Sequence, residues 1–258
     1  MSHPYFLRMA YDGTAFHGWQ IQPVARTVQG EVWRALRVLD PGAPMPQGTG
    51  RTDAGVHARA QGVLIHASRS WERYRLLAAL NAHLPPEVRV MDVRESPEGF
   101  YPRQHAVAKR YTYRINEGPA VDPFERDLRW HVFGVEPLDR QAMAEAASHL
   151  LGEHDFSSFR HHDCVAATPV RHIYSVDLET RGSLLDIVFE GNRFLMHQVR
   201  IMAGTLVDVG KGRMAPESIP AVLEARDRRR AGQTAPPHGL CMEKVWYQSQ
   251  WGIGEPYS

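Results

Sequence analysis

Apolar residues recur along this chain with two periods, and the period switches often. In "TVQGEVWRALRVLD" (27–40), Val28, Val32, Leu36 and Leu39 fall at helical spacing, and Thr27 stands where an N-cap belongs. In "AVAKRYTYRIN" (106–116) the period drops to two. Tyr111, Tyr113 and Ile115 then share one face of a strand, and Arg110, Thr112 and Arg114 the other. The same reading predicts strands over 5–12, 61–67, 87–96 and 240–247. It predicts a hairpin in which "RHIYSVDLET" and "SLLDIVFEG" flank a turn at "RGS". Further helices are expected over 70–84, stopped by Pro85 and Pro86, over 139–152, ended by Gly152, within 193–212, and over 216–226.

The resulting order is β-α-β-α-β, then β-α-β-β-α-α-β. Hairpins mixed with helices imply an α+β fold with mostly antiparallel sheet and helices packed on one face. Each half resembles a ferredoxin-like, split βαβ unit, with one domain expected over 1–105 and a second over 106–258.

Composition narrows the class. The chain has 258 residues, 43% of them hydrophobic and 23% charged, as in ordinary globular proteins. No stretch of about 18 apolar residues exists to span a bilayer. The opening "MSHPYFLRMAYDG" lacks a basic segment followed by an apolar one. The expectation is a cytoplasmic protein. Cys164 and Cys241 are far apart and form no CxxC, so neither a disulfide framework nor a cysteine-based metal site is expected. "RHHDC" (160–164) reads as a polar loop, because no second ligand pair at zinc spacing follows it. Net charge is +1, but residues 1–114 carry +6 and residues 115–258 carry −5. The first half can therefore present a basic face, and 27 of the 30 basic residues are Arg, which suits phosphate and stacking contacts.

The chemistry concentrates at "GTGRTDAGVHARAQG" (48–62), where Asp53 lies in a stretch dominated by small residues. "GTGRTD" fails as a dinucleotide fingerprint, since Asp53 occupies the third glycine position and would repel a pyrophosphate. No GxxxxGK[ST] and no GxSxG occurs. An aspartate among small residues allows close approach of a planar ligand and can act as nucleophile or base. It can equally be an Asx turn that shapes the loop, and spacing alone favours that reading.

"GRTDAGVHA" (50–58) resembles the signature loop of the TruA family of tRNA pseudouridine synthases. "YDGTAFHGWQIQP" with "TVQGEV", "AKRYTYRI", "HDFSSFR", "NRFLMHQVRIMAGTLVDVGKG" and "APPHGLCMEKVWY" resemble further blocks of that family, in order and over nearly the whole chain. One departure is Gln198, where many members carry Met. The resemblance implies the family's central sheet flanked by helices, and isomerisation of uridine to pseudouridine at positions 38, 39 and 40 of the tRNA anticodon stem-loop. It implies Asp53 as catalytic nucleophile, Tyr111 packed on the target base, Arg200 paired with the aspartate, and Arg51 helping to turn the nucleotide out. It also implies a homodimer, and the chemistry calls for no cofactor and no metal. His57 and Thr52 are read as shaping the loop. Two competing classes are an inert RNA-binding module on the same fold and a carboxylate hydrolase unrelated to RNA; the set Asp53, Tyr111 and Arg200 argues against both.

Overall fold

The computed structural model describes residues 2–134, 136–254 and 257. Its contacts group the chain into two units, Met1–Ala108 with Met242–Ser258, and Lys109–Cys241.

In the first unit β1 (His3–Tyr11) runs antiparallel to both β3 (His57–Ala67) and β4 (Val88–Glu95), with Leu7 level with Val63 on one side and Val93 on the other. The two-residue β2 (Gln47–Gly48) pairs with β3, and β10 (Leu240–Tyr247) lies next to β3. The period of two splits β1 between two faces: Tyr5, Leu7 and Met9 are buried on one, while Phe6 packs on the other against Phe100, Tyr247 and Ile253. Phe6 meets Phe100 and Tyr247 edge to face at 5.8 and 5.5 Å, the arrangement that ring quadrupoles favour.

The helix α1 (Val28–Leu39) buries Val28, Val32, Ala35 and Leu36, and the Thr27 hydroxyl accepts from Gly30 N at its start. The second helix begins later than its pattern predicts. In α2 (Arg73–His83) the Glu72 carboxylate accepts from the N–H groups of Tyr74 and Arg75, so an acidic cap sets the first turn. A four-residue helix, α3 (Pro102–His105), was not predicted, since four residues carry no period.

In the second unit β5 (Ala106–Asn116), over its Lys109–Asn116 part, pairs antiparallel with β9 (Leu184–Gly191), β9 with β8 (Val170–Arg181), and β8 with β7 (Gly152–Asp155). A two-residue β6 (Trp130–His131) runs parallel to β5. The helix expected over 139–152 is shorter: α4 (Arg140–Ser148) is capped by Asp139, and Gly152, with φ +91°, opens β7 four residues after the helix ends. The left-handed residue serves the entry to a strand here, which local sequence does not distinguish from a helix stop.

The long apolar run yields α5 (Gln198–Gly210), preceded by His197 in the left-handed region at φ +61°. Eleven of its thirteen residues are buried, so it is a core helix, and only Arg200 and Asp208 are partly exposed. Close approach depends on its glycines: a Cβ at Gly204 would collide with Gln233 O, and one at Gly210 would lie 2.7 Å from Met143 Sδ on α4. A one-turn 3₁₀ segment, Pro216–Ser218, leads into α6 (Ile219–Ala225). The fold is α+β, with mostly antiparallel strands flanked by helices, as the alternating pattern predicts. Among the described residues no helix is long and apolar enough to cross a membrane.

Candidate active site

Asp53 sits in the loop joining β2 to β3, and the loop is fixed at both ends and from behind. Thr49 N donates to Gly62 O at 2.8 Å, and the Thr49 hydroxyl bonds the Tyr247 hydroxyl. Gly50 O accepts from the buried Gln61 amide at 2.7 Å. Thr52 O accepts from Trp19 N at 3.1 Å, and the Thr52 hydroxyl meets the Tyr11 hydroxyl at 2.8 Å in a buried contact. Val56 N donates back to Asp53 O at 3.2 Å, closing a turn through Gly55 at φ +77°. The loop backbone is thus held at several points while Asp53 itself stays half-buried and Arg51 and Ala54 are exposed.

Two glycines outside the loop make this packing possible. A Cβ at Gly18, whose φ is +85°, would lie 2.6 Å from Thr52 O. One at Gly13 would collide with Val56 O. The segment 11–18 therefore presses directly on the backbone that flanks Asp53, and only glycine tolerates both approaches.

His57 belongs to this support. It is buried, and Gly13 N donates to its Nδ1 at 3.1 Å. Asp12 Oδ1 lies 3.2 Å from the same nitrogen and becomes an ion-pair partner only if the ring takes a second proton. Burial raises the Asp12 pKa, but bonds from the Thr14 hydroxyl and N–H, together with His57, outweigh it and hold the carboxyl below its ordinary range.

Tyr111 and Arg200 belong to the second unit. Tyr111 stands opposite Phe189 on β5, is 7% exposed, and meets Phe194 edge to face at 5.2 Å. Arg200, half-buried on α5, donates through Nε to Ala235 O at 2.9 Å, and Ala235 N returns a bond to Arg200 O at 3.1 Å. Tyr113 is fully buried on the same face of β5 as Tyr111, and its hydroxyl donates to Pro236 O at 2.7 Å. Burial pushes the Tyr113 pKa up, and the nearby Arg200 charge opposes the rise. Gln198, the departure noted above, is wholly buried and satisfied: its Oε1 accepts from Leu195 N at 2.8 Å, closing the turn that precedes α5.

The structure places Asp53 and Arg51 on one loop of the first unit, and Tyr111 and Arg200 on neighbouring elements of the second. Sequence reasoning did not single out Trp19, Tyr101 or Arg103, which line an open cleft of about 460 Å³ with Arg51. The signal available was "FYPR" (100–103), an aromatic and a cation around a helix-starting proline. His161, His162 and Asp163 do gather possible ligand atoms within 4.8 Å of one another. They lie on a surface turn, where His161 Nδ1 already accepts from Asp163 N at 3.2 Å.

A family model described as tRNA pseudouridine synthase matches residues 146–248. The tRNA pseudouridine synthase A of Myxococcus xanthus is 44% identical over 243 residues, covering 94% of this chain and 91% of the relative. That of Moorella thermoacetica is 44% identical over 252 residues, covering 93% and 98%. That of Pelobacter propionicus is 43% identical over 241 residues, with the same coverage.

Proposed function

The chain belongs to the tRNA pseudouridine synthase A family and is an isomerase that makes pseudouridine in tRNA, and from that premise we propose that it acts on positions 38, 39 and 40 of the anticodon stem-loop, with Asp53 as nucleophile. The observation that carries the site assignment is the half-buried Asp53 carboxylate on a loop whose surrounding backbone is held by Trp19, Gln61, Gly62 and Val56. Such fixation lowers the reorganisation needed when a planar base arrives.

The reaction breaks the N1–C1′ bond of uridine, turns the uracil, and forms a C5–C1′ bond; C5 loses its proton to solvent and N1 gains one. The Asp53 carboxylate adds to C6 of the base or assists at C1′, and in both routes it is regenerated. Arg200, oriented through Ala235, serves in this reading to pair with the carboxylate and aim it. Tyr111 offers an aromatic face to the extruded base. A stem uridine must leave its stack first, and Arg51, exposed on the Asp53 loop, supports the flipped state by stacking and phosphate contact. No electron is transferred and no phosphoanhydride is consumed, so the chemistry calls for neither a redox cofactor nor a nucleotide.

Two copies of the chain form the working enzyme in this reading. Phe124 and Phe133, 91% and 62% exposed in the second unit, supply apolar surface for a partner. The excess of arginine in the first half suits a shape-based grip on the tRNA backbone in the cytoplasm. Mapping pseudouridine in tRNA from cells lacking the protein tests the assignment. Loss confined to positions 38–40 is expected, and retention of all three would overturn it.

A further inference from the structure

The cleft beside Arg51 is built and unusually free of negative charge. Its walls come from the stretches around Trp19, around Gln47 and around Tyr101–Gln104, all in the first unit, and among the described residues no carboxylate lines it. Its shape is set in advance. Gln29, 5% exposed, ties two walls together, its Oε1 accepting from Ile21 N and its Nε2 donating to Pro46 O, both at 2.9 Å. The buried Trp19 indole forms the floor against Gly48, where a Cβ would lie 2.6 Å from the ring.

The exposed groups are of two kinds. Tyr101 is 45% exposed, yet its backbone is fixed: its N–H donates to His105 Nδ1 at 3.1 Å, and His105 stacks on Trp251 at 4.3 Å. Met45, 41% exposed, adds a second apolar surface. Arg51 and Arg103 are exposed, and among the described residues neither has a carboxylate partner, although most other arginines of the chain do or bond a carbonyl. Two guanidinium groups without a carboxylate partner and an aromatic side chain, all lining one preformed hollow, match one chemistry, a planar base with an attached phosphate.

We propose that this cleft holds a second, unpaired nucleotide of the substrate RNA, its base against Tyr101 and its phosphates between Arg51 and Arg103. The inference rests on the tRNA reading above and adds a subsite to it. Arg51 lies two residues before Asp53, so the strand that delivers the target uridine passes the cleft mouth. Capturing a loop nucleotide there fixes the strand while the target turns out, and it selects stem-loops over plain duplex.

The test measures binding of a synthetic anticodon stem-loop RNA to the full chain, with an abasic residue moved along the loop. Tyr101→Ala should weaken binding by roughly 5- to 100-fold, the range for loss of one stacked base, and Tyr101→Phe should restore it. In the wild-type chain one abasic loop position should weaken binding by a similar factor, and in Tyr101→Ala that position should become neutral. Arg103→Gln should flatten the salt dependence by about 0.7 in slope, the contribution of one single-strand phosphate contact. Unchanged binding by a folded Tyr101→Ala chain, or undiminished abasic penalties in it, would overturn the subsite while leaving the enzyme assignment intact. Tight binding of uridine monophosphate alone, undone by Tyr101→Ala, would assign the cleft to a free nucleotide instead. Failure of the wild-type chain to bind or modify the RNA would overturn both readings.

Discussion

Arg200 and Tyr113 hold consecutive carbonyls of one segment: Arg200 Nε donates to Ala235 O at 2.9 Å, and the Tyr113 hydroxyl donates to Pro236 O at 2.7 Å. The segment is pressed onto α5 at Gly204, and Gly232 N adds a bond to the Thr205 hydroxyl at 2.9 Å. The orientation of Arg200 is therefore a property of the 231–239 segment as much as of its own helix. Removing the tyrosine hydroxyl leaves Pro236 O without that donor. Tyr113→Phe should lower stability by about 1–2 kcal/mol, read from denaturant midpoints. Its turnover should fall less than roughly tenfold, since Arg200 keeps its own bond to Ala235. Turnover loss as deep as that of Arg200→Ala would assign Tyr113 a direct part in the chemistry.

Gly18 tests the support behind Asp53. Its φ is +85°, and a methyl group placed on it would lie 2.6 Å from Thr52 O, so there is no room for a side chain. Gly18→Ala should destabilise the protein by about 1–3 kcal/mol and reduce kcat, because the loop that carries Asp53 and Arg51 shifts. A variant with wild-type kcat would show that this contact does not position the carboxylate.

Asp12 gives the support a pH signature. Its folded pKa lies below the ordinary 3.8, since the Thr14 and His57 contacts outweigh burial. A depressed acid contributes stability above its unfolded pKa and loses that contribution as pH falls through the folded value. Wild-type stability should therefore exceed that of Asp12→Asn above about pH 4, and the gap should close as pH drops further. Thermal melts across that range read the effect. A gap that persists undiminished at the acid end would mean that the Asp12 charge is not its source. The contribution is small, because half of the side chain is in solvent.

Arg51 is exposed on the same loop as Asp53 and lines the cleft. Arg51→Ala should slow single-turnover isomerisation of a paired stem uridine more than that of a mismatched one, since an unpaired base is easier to extrude. An equal penalty on both substrates would place Arg51 in binding or in charge stabilisation instead.

Most of the fold was legible because its elements have clean periods. The strand over 106–116 and the last strand over 240–247 appear with the predicted bounds, and Val28, Val32 and Leu36 of the α1 stripe are buried behind the Thr27 cap, with Leu39 only partly so. What failed was punctuation. Glu72 moves the start of α2, and Gly152 opens a strand where a helix end was expected, because a left-handed glycine serves both. The helix α5 lies inside the stretch expected to hold it, and its start is set by His197 in a left-handed turn. Around the candidate site, an acid and a cation among small residues drew attention to Asp53 and Arg51, while the roles proposed for them came from the family resemblance. The contacts that fix them were not legible, since Gly13, Gly18 and Tyr11 lie some forty residues away in sequence and meet the loop only through the pairing of β1 with β3. Tyr101 and Arg103 stayed hidden because exposure and the absence of a partner are tertiary facts.

The most direct measurement is tritium release from tRNA labelled at C5 of uridine, comparing the wild-type chain with Asp53→Asn. The substitution keeps the size and polarity of the side chain and removes its charge, and Val56 N bonds the Asp53 backbone rather than the carboxylate. The account predicts release by the wild-type chain and none above background by Asp53→Asn, with tRNA affinity and melting temperature close to wild type. Release by Asp53→Asn near the wild-type rate would contradict it.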